Sequence, residues 1–183
     1  ERYHFMVRID RWVVRNTLAW LSDRYRCAEN HTIGHWGINL SGDSLSDSDF
    51  CQELVQQVRR AGLPEGTLCF EITETATITN LTAANTFIKE LKNMGCQFAL
   101  DDFGSGLSSF GYLKNFPVDF LKIDGSFVKD ILDDPIDAAM VKSINEIGHI
   151  MGKKTVAEWV ENQEIADVLT TIGIDYGQGY HFD

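Results

Sequence analysis

Short apolar strand-like runs alternate with amphipathic helical stretches along nearly the whole chain, and almost every run ends in a polar or acidic residue. The runs are 35–41 (HWGINLS), 68–73 (LCFEIT), 97–102 (QFALDD), 119–124 (DFLKID), 154–161 (KTVAEWVE) and 176–182 (YGQGYHF). Strand followed by helix, repeated with no linker or composition shift, predicts a parallel sheet in one domain. The residues closing the runs are Asn39, Glu71, Asp101 with Asp102, Lys122 with Asp124, Glu158 and Gln178. In a (β/α)8 barrel all strand ends meet at one mouth, where active sites sit; in an open doubly wound sheet, ends far from the switch point do not converge. Six such ends favour a TIM-type α/β barrel. A complete barrel takes roughly 250 residues. The 183 residues here carry six of eight strands, and the expectation is that about two precede residue 1.

The helical stretches carry the expected stripes. Residues 46–61 open on Ser46 as N-cap and place Phe50, Leu54, Val55 and Val58 on one face before Gly62. Residues 80–94 do the same with Leu81, Ala84, Phe87, Ile88 and Leu91, and residues 136–151 with Ile136, Met140, Ile144, Ile147 and Met151. In residues 162–172 the stripe is Ile165, Val168, Leu169 and Ile172; in 4–26 it is Phe5, Ile9, Trp12, Val13 and Trp20.

Charge narrows the function. The net charge of −11 argues against binding a nucleic-acid backbone, which calls for a basic surface. A phosphate ligand would need a divalent cation to neutralise it. Cys27, Cys51, Cys69 and Cys96 stand too far apart for a zinc knuckle or redox pair and read as reduced thiols. His31 and His35 are four apart, but Gly34 and the apolar run beyond it read as a loop entering a strand rather than a metal pair. No run approaches the length of a membrane span, and the expected setting is cytoplasmic.

Buried carboxylates this dense cannot all ionise without cations. Asn39, Glu71, Asp101, Asp102 and Glu158 are hard oxygen donors suited to Mg2+ or Mn2+ rather than zinc. Adjacent strand residues point to opposite faces, so the bend expected at Phe103-Gly104-Ser105-Gly106 would have to bring both Asp101 and Asp102 to the mouth. Two cations sharing one carboxylate would give two-metal phosphoryl chemistry, with Ca2+ inhibitory. Lys122 and Asp124, two apart, would lie on one strand face, with Lys122 holding a water or phosphate oxygen.

Taken together, these motifs resemble the EAL family of bacterial cyclic di-GMP phosphodiesterases. INLS at 38–41, EITE at 71–74, DDFGSGLSSFGYL at 101–113, PVDFLKIDGSFV at 117–128, AEWVE at 157–161 and GQGY at 177–180 match that family's motifs in order. The resemblance implies hydrolysis of cyclic di-GMP to linear pGpG in bacterial signalling and biofilm control. It implies Asn39, Glu71, Asp101 and Asp102 as metal ligands and Glu158 as a second-metal ligand or partner of the attacking water. Lys122 is implied to orient or deprotonate that water, Glu74 to anchor the loop after Asp102, and Glu161 and Gln178 to support the site. A homodimer and upstream sensory or cyclase domains are the implied partners.

Two departures stand out. Trp159 replaces the glycine of A-E-G-V-E, and strand alternation predicts that it packs among helices with little effect. No E-A-L segment is present, and the opening stretch resembles the helix that follows it. The expectation is therefore one EAL-like domain over 1–183, truncated before residue 1 and cut shortly after its last strand, weakly active or inactive alone. Two other readings stay open: a cyclic di-GMP receptor that binds without cutting, and a carboxylate-pair glycosidase, which would need neither Lys122 nor Asn39. A kinase reading of Asp102-Phe103-Gly104 fails for want of the other kinase motifs.

Overall fold

The computed structural model describes residues 3–27, 34–79, 81–104 and 110–182. His31 and residues 105–109 lie outside them. Two compact units divide the chain, residues 1–98 and 99–183.

The first unit opens with α1 (Tyr3–Cys27), followed by β1 (Trp36–Leu40), α2 (Gly42–Ser46), α3 (Ser48–Ala61), β2 (Leu68–Thr73), α4 (Glu74–Thr79) and α5 (Leu81–Lys92). β1 and β2 pair in parallel, with Asn39 opposite Glu71. The stripe expected on α3 is the buried one: Phe50, Leu54, Val55 and Val58. Its start differs from the sequence reading. Ser46 ends α2, and Asp47 caps α3 by accepting from the Phe50 amide at 2.8 Å. On α5, Ala84, Phe87, Ile88 and Leu91 are buried as expected.

α1 turns the opposite way from its expected stripe. Phe5, Trp12 and Trp20 are exposed by 60%, 60% and 42%, and the buried face is Val7, Asp10, Val14, Leu18 and Leu21. Asp10 explains the difference. Its buried carboxylate accepts from the Ser41 amide (2.9 Å), the Ser41 hydroxyl (2.7 Å) and the Ser44 hydroxyl (2.6 Å). A carboxylate with three donors can be buried at little cost, so the face that reads as polar is the one that docks.

The second unit contains the end of β3 (Gln97–Phe103), then α6 (Phe110–Leu113), β4 (Phe120–Ile123), α7 (Gly125–Lys129), α8 (Pro135–Ile150), β5 (Lys154–Ala157), α9 (Gln163–Ile172) and β6 (Tyr176–Gly177). β3, β4, β5 and β6 pair successively, all in parallel. All six expected strands are thus present, although β5 and β6 are far shorter than the runs that announced them. Past Ala157 the two chains stay joined by single backbone bonds rather than a ladder. Val160 N donates to Gln178 O at 3.0 Å, and His181 N donates to Val160 O at 2.9 Å. On α8, Ile136 and Met140 are 70% and 37% exposed, against expectation. The buried residues there are Val141, Ile144, Asn145 and Gly148.

Asn145 is buried because it joins a polar network under β5. The Thr155 hydroxyl donates to Asn145 Oδ1 at 2.6 Å, and Asn145 Nδ2 donates to the Ile172 carbonyl at 3.3 Å. Asp175 accepts from the Thr155 amide at 2.8 Å and lies 2.7 Å from His149 Nε2. Burial alone would raise the Asp175 carboxyl pKa, but the bonds from Thr155 and His149 outweigh it and hold the pKa below the usual value. A depressed folded-state pKa stabilises the protein above the unfolded value and stops doing so as pH falls through the folded one. Asp175→Asn is therefore expected to lower the unfolding free energy at neutral pH by about 1 kcal/mol or less, since the carboxylate is partly exposed. The gap from wild type should close below the ordinary carboxylate range. A gap that persists unchanged at low pH would show that ionised Asp175 is not the stabilising species.

Candidate active site

The centre of the second unit's site is Lys122, from the middle of β4, buried to 5% exposure. Its Nζ lies 2.8 Å from Asp101 Oδ1 and 2.8 Å from Glu158 Oε1. Asp101 comes from β3 and Glu158 from just beyond β5, so the two neighbours of β4 each present one carboxylate to the ammonium. Oxygens of Asp101, Asp102 and Glu158 all lie within 4.8 Å of one another.

A bulge in β3 brings Asp101 and Asp102 to the same place. Leu100 faces Leu121 while Phe103 faces Ile123, so β3 carries one residue more than β4 across this step. Asp102 takes φ +55°, in the left-handed region. Such a conformation costs a non-glycine residue on the order of 1–3 kcal/mol and re-aims its side chain. The chain already departs from strand geometry at Asp102, one residue before the expected bend, and Gly104 at φ +103° lies within that bend, whose residues 105–106 are outside the described ones.

The electrostatics follow. Burial, Lys122 and the neighbouring acids act together on Glu158; burial is the largest effect and pushes its carboxyl pKa up. Asp102 is also raised, first by burial and then by the charges of Asp101 and Asp124. The cluster has more negative charge than one lysine balances. Its donors are all carboxylate oxygens, which fits a hard divalent cation and not a soft one.

Asp124 does not share a strand face with Lys122. β4 ends at Ile123, and Asp124 caps α7, accepting from the Ser126 amide at 2.8 Å. Its effect on the cluster is through charge. Glu161 and Gln178 line an open cavity of about 550 Å3 together with Glu158, Trp159, Gly179 and Tyr180.

Trp159 corrects the sequence reading most clearly. β5 has ended before it, so strand alternation does not apply, and its helix contact is with the first residue of α7, the rest of the side chain being largely exposed. It takes φ +54°, is 56% exposed, and lies over Gly125, where any Cβ would overlap the indole.

In the first unit Asn39 and Glu71 face each other in register at the ends of β1 and β2, a second pair of oxygen donors. A Cβ at Gly37 would strike the Glu71 carboxylate. Gly37 thus leaves the room that the Glu71 carboxylate occupies, a close approach the sequence reading did not single out; its spacing of two from Asn39 on one strand face was the available signal. Glu74 is buried in the first turn of α4, and the loop it was expected to anchor lies outside the described residues.

The family model for the EAL domain matches residues 1–183. The chain belongs to the EAL domain family. Among curated relatives, the cyclic di-GMP phosphodiesterase PdeB of Shewanella oneidensis is 46% identical over 180 residues, 98% of this chain and 21% of that protein. The cyclic di-GMP phosphodiesterase PdeF of Escherichia coli is 38% identical over 172 residues, 94% of this chain and 23% of that protein. The chain therefore spans about a fifth to a quarter of these relatives. Among solved structures, the PaMucR phosphodiesterase in its c-di-GMP complex superposes with a TM-score of 0.87 at 29% identity, covering 98% of this chain and 72% of that one. The FimX EAL domain gives 0.83 at 31% identity, covering 94% and 68%. The fold class is that of EAL domains, a TIM-type (β/α) barrel of which this chain supplies six strands. Among the described residues no helix is long and apolar enough to cross a membrane.

Lys122→Met removes the ammonium that lies between Asp101 and Glu158 and leaves like charges facing each other. It is expected to destabilise the metal-free protein by on the order of 3 kcal/mol. Mg2+ should then raise the thermal midpoint of the variant. A variant as stable as wild type without metal would remove Lys122 as the internal counter-ion.

Proposed function

We propose that the protein carrying this chain hydrolyses one phosphodiester of cyclic di-GMP, giving linear pGpG. The observation that carries the reading is the gathering of Asp101, Asp102 and Glu158 within 4.8 Å around buried Lys122. It stands in an EAL domain whose relatives include named cyclic di-GMP phosphodiesterases.

Asp101, Asp102 and Glu158 would hold a divalent cation; for Asn39 and Glu71, in the first unit, a ligand role rests on the family resemblance alone. Two Mg2+ or Mn2+ ions, when bound, would supply charge neutralisation and Lewis acidity toward the phosphodiester. The remaining work falls to the side chains. Lys122 is a three-donor cation fixed by two carboxylates. It orients a water and offsets charge that builds on the phosphoryl oxygens. Glu158 sits at hydrogen-bond distance from that ammonium and is the proton acceptor for the water. The water gives its proton to Glu158 as its oxygen bonds to phosphorus, one P–O ester bond breaks, and the departing alkoxide is protonated by solvent water, the hydroxide so formed taking up the proton that Glu158 releases. Glu161 and Gln178, in the wall of the adjoining cavity, support the substrate, and the charge of Asp124 tunes Asp102.

The full-length protein with cyclic di-GMP and Mg2+ or Mn2+ is expected to release pGpG. Ca2+, with longer bonds and weaker polarisation of water, is expected to permit binding and block cleavage. Asp101→Ala should abolish metal binding and turnover together, while Asp133→Ala at an exposed turn should change neither. Asp47, although it reads as a surface acid, caps α3 and is an unsuitable control. Lys122→Ala and Glu158→Gln should lower kcat by roughly 10²–10⁴-fold with little change in substrate affinity. Tight binding with no product under Mg2+ and Mn2+ would make the protein a receptor instead. Turnover that survives chelation would exclude the metal-dependent reading.

A further inference from the structure

Trp159 combines a strained backbone with an exposed side chain. It sits at φ +54°, where glycine would be relaxed and tryptophan is strained. Over half its surface is exposed, so core packing does not explain its retention. The strain is imposed from both sides: Glu158 N donates to the Ile123 carbonyl at 3.3 Å and Val160 N donates to the Gln178 carbonyl at 3.0 Å. Between these fixed points the side chain is aimed into the cavity that Glu158, Glu161 and Gln178 also line.

Its setting is built. One face of the indole lies on Gly125, the first residue of α7, and even a methyl group at Gly125 would overlap the ring. The rest of the ring is exposed toward a cavity of about 550 Å3 whose wall also holds Tyr180, 83% exposed. A planar, half-covered aromatic beside a carboxylate cluster suits a ligand with a planar ring attached to a phosphate. In a nucleotide one sugar separates base from phosphate; here one peptide unit separates Trp159 from Glu158.

We infer that Trp159 is a specificity-determining residue that stacks on a purine base of the substrate, with Gly125 as the floor that positions its indole. The inference rests on the cyclic di-GMP reading above and adds to it a base-recognition surface that the matched EAL motifs do not supply, since A-E-G-V-E carries glycine at this position. Base stacking on an aromatic tolerates any ring with a π face but needs the ring. Phenylalanine should therefore substitute and alanine should not. Both keep a Cβ at the strained position, so the comparison isolates the ring.

The test uses the full-length protein and cyclic di-GMP, with binding isotherms in Ca2+ and turnover in Mg2+. Trp159→Ala is expected to bind roughly tenfold more weakly and to raise KM with kcat unchanged. Trp159→Phe should bind within a few-fold of wild type. Wild-type tryptophan fluorescence should be quenched by cyclic di-GMP, and the quench should be lost in Trp159→Phe even though binding persists. Gly125→Ala should weaken binding as Trp159→Ala does, by displacing the indole without touching the cavity's other residues. Wild-type affinity in Trp159→Ala, or an undiminished quench in Trp159→Phe, overturns the stacking role while leaving the phosphodiesterase reading intact. A wild-type protein that neither binds nor cleaves cyclic di-GMP overturns both.

Discussion

The ammonium of Lys122, held at 2.8 Å by Asp101 on one side and by Glu158 on the other, is the interaction around which the second unit is arranged. A lysine in the middle of a strand flanked by buried Leu121 and Ile123 is costly unless its charge is matched. The match requires a carboxylate from each neighbouring strand. β3 provides one, and its bulge brings a second acid, Asp102, to the same place. β5 provides the other by ending at Ala157, which frees Glu158 from ladder geometry. The result holds more negative than positive charge, and that surplus is the ground for proposing it as a seat for cations rather than a closed salt bridge.

The proposed chemistry and the polar network that ties down the fold occupy opposite ends of β5. Glu158 and Trp159 follow its last residue, whereas Thr155, near its start, is tied into the Asn145, Asp175 and His149 network. The separation is the one expected of barrels, where one rim carries chemistry and the other holds the fold. Strain follows the same division. The two non-glycine residues with positive φ, among those described, are Asp102 and Trp159, both beside the carboxylate cluster. The first unit uses glycine to the same end, because Gly37 leaves room for the Glu71 carboxylate.

Much of this was legible in the sequence because six apolar runs each end in a polar residue, and that pattern survives whatever the exact strand lengths. The α3 stripe was legible for a similar reason: its four apolar residues have no polar competitor on their face. The α1 face was not, since Asp10 reads as solvent-facing until Ser41 and Ser44 are seen to satisfy it. Period-2 alternation failed at two places for one physical cause, a strand that stops early: Asp124 caps a helix, and Trp159 lies past the end of β5. At Asp102 a break in alternation was expected, and a bulge supplies it. Local sequence does not reveal such endings, because they are set by which neighbouring backbone is available to pair. Where Asp101, Asp102, Lys122 and Glu158 converge could still be anticipated, since charge balance demands it wherever the strands end.

The central claim is that Asp101, Asp102 and Glu158 form a seat for divalent cations. Crystals of the full-length protein grown with Mn2+ and measured at the manganese absorption edge test it most directly. The account predicts anomalous density within about 2.0–2.3 Å of carboxylate oxygens of Asp101 and Asp102. Ordered Mn2+ elsewhere in the protein, with no anomalous density at this cluster, would contradict it.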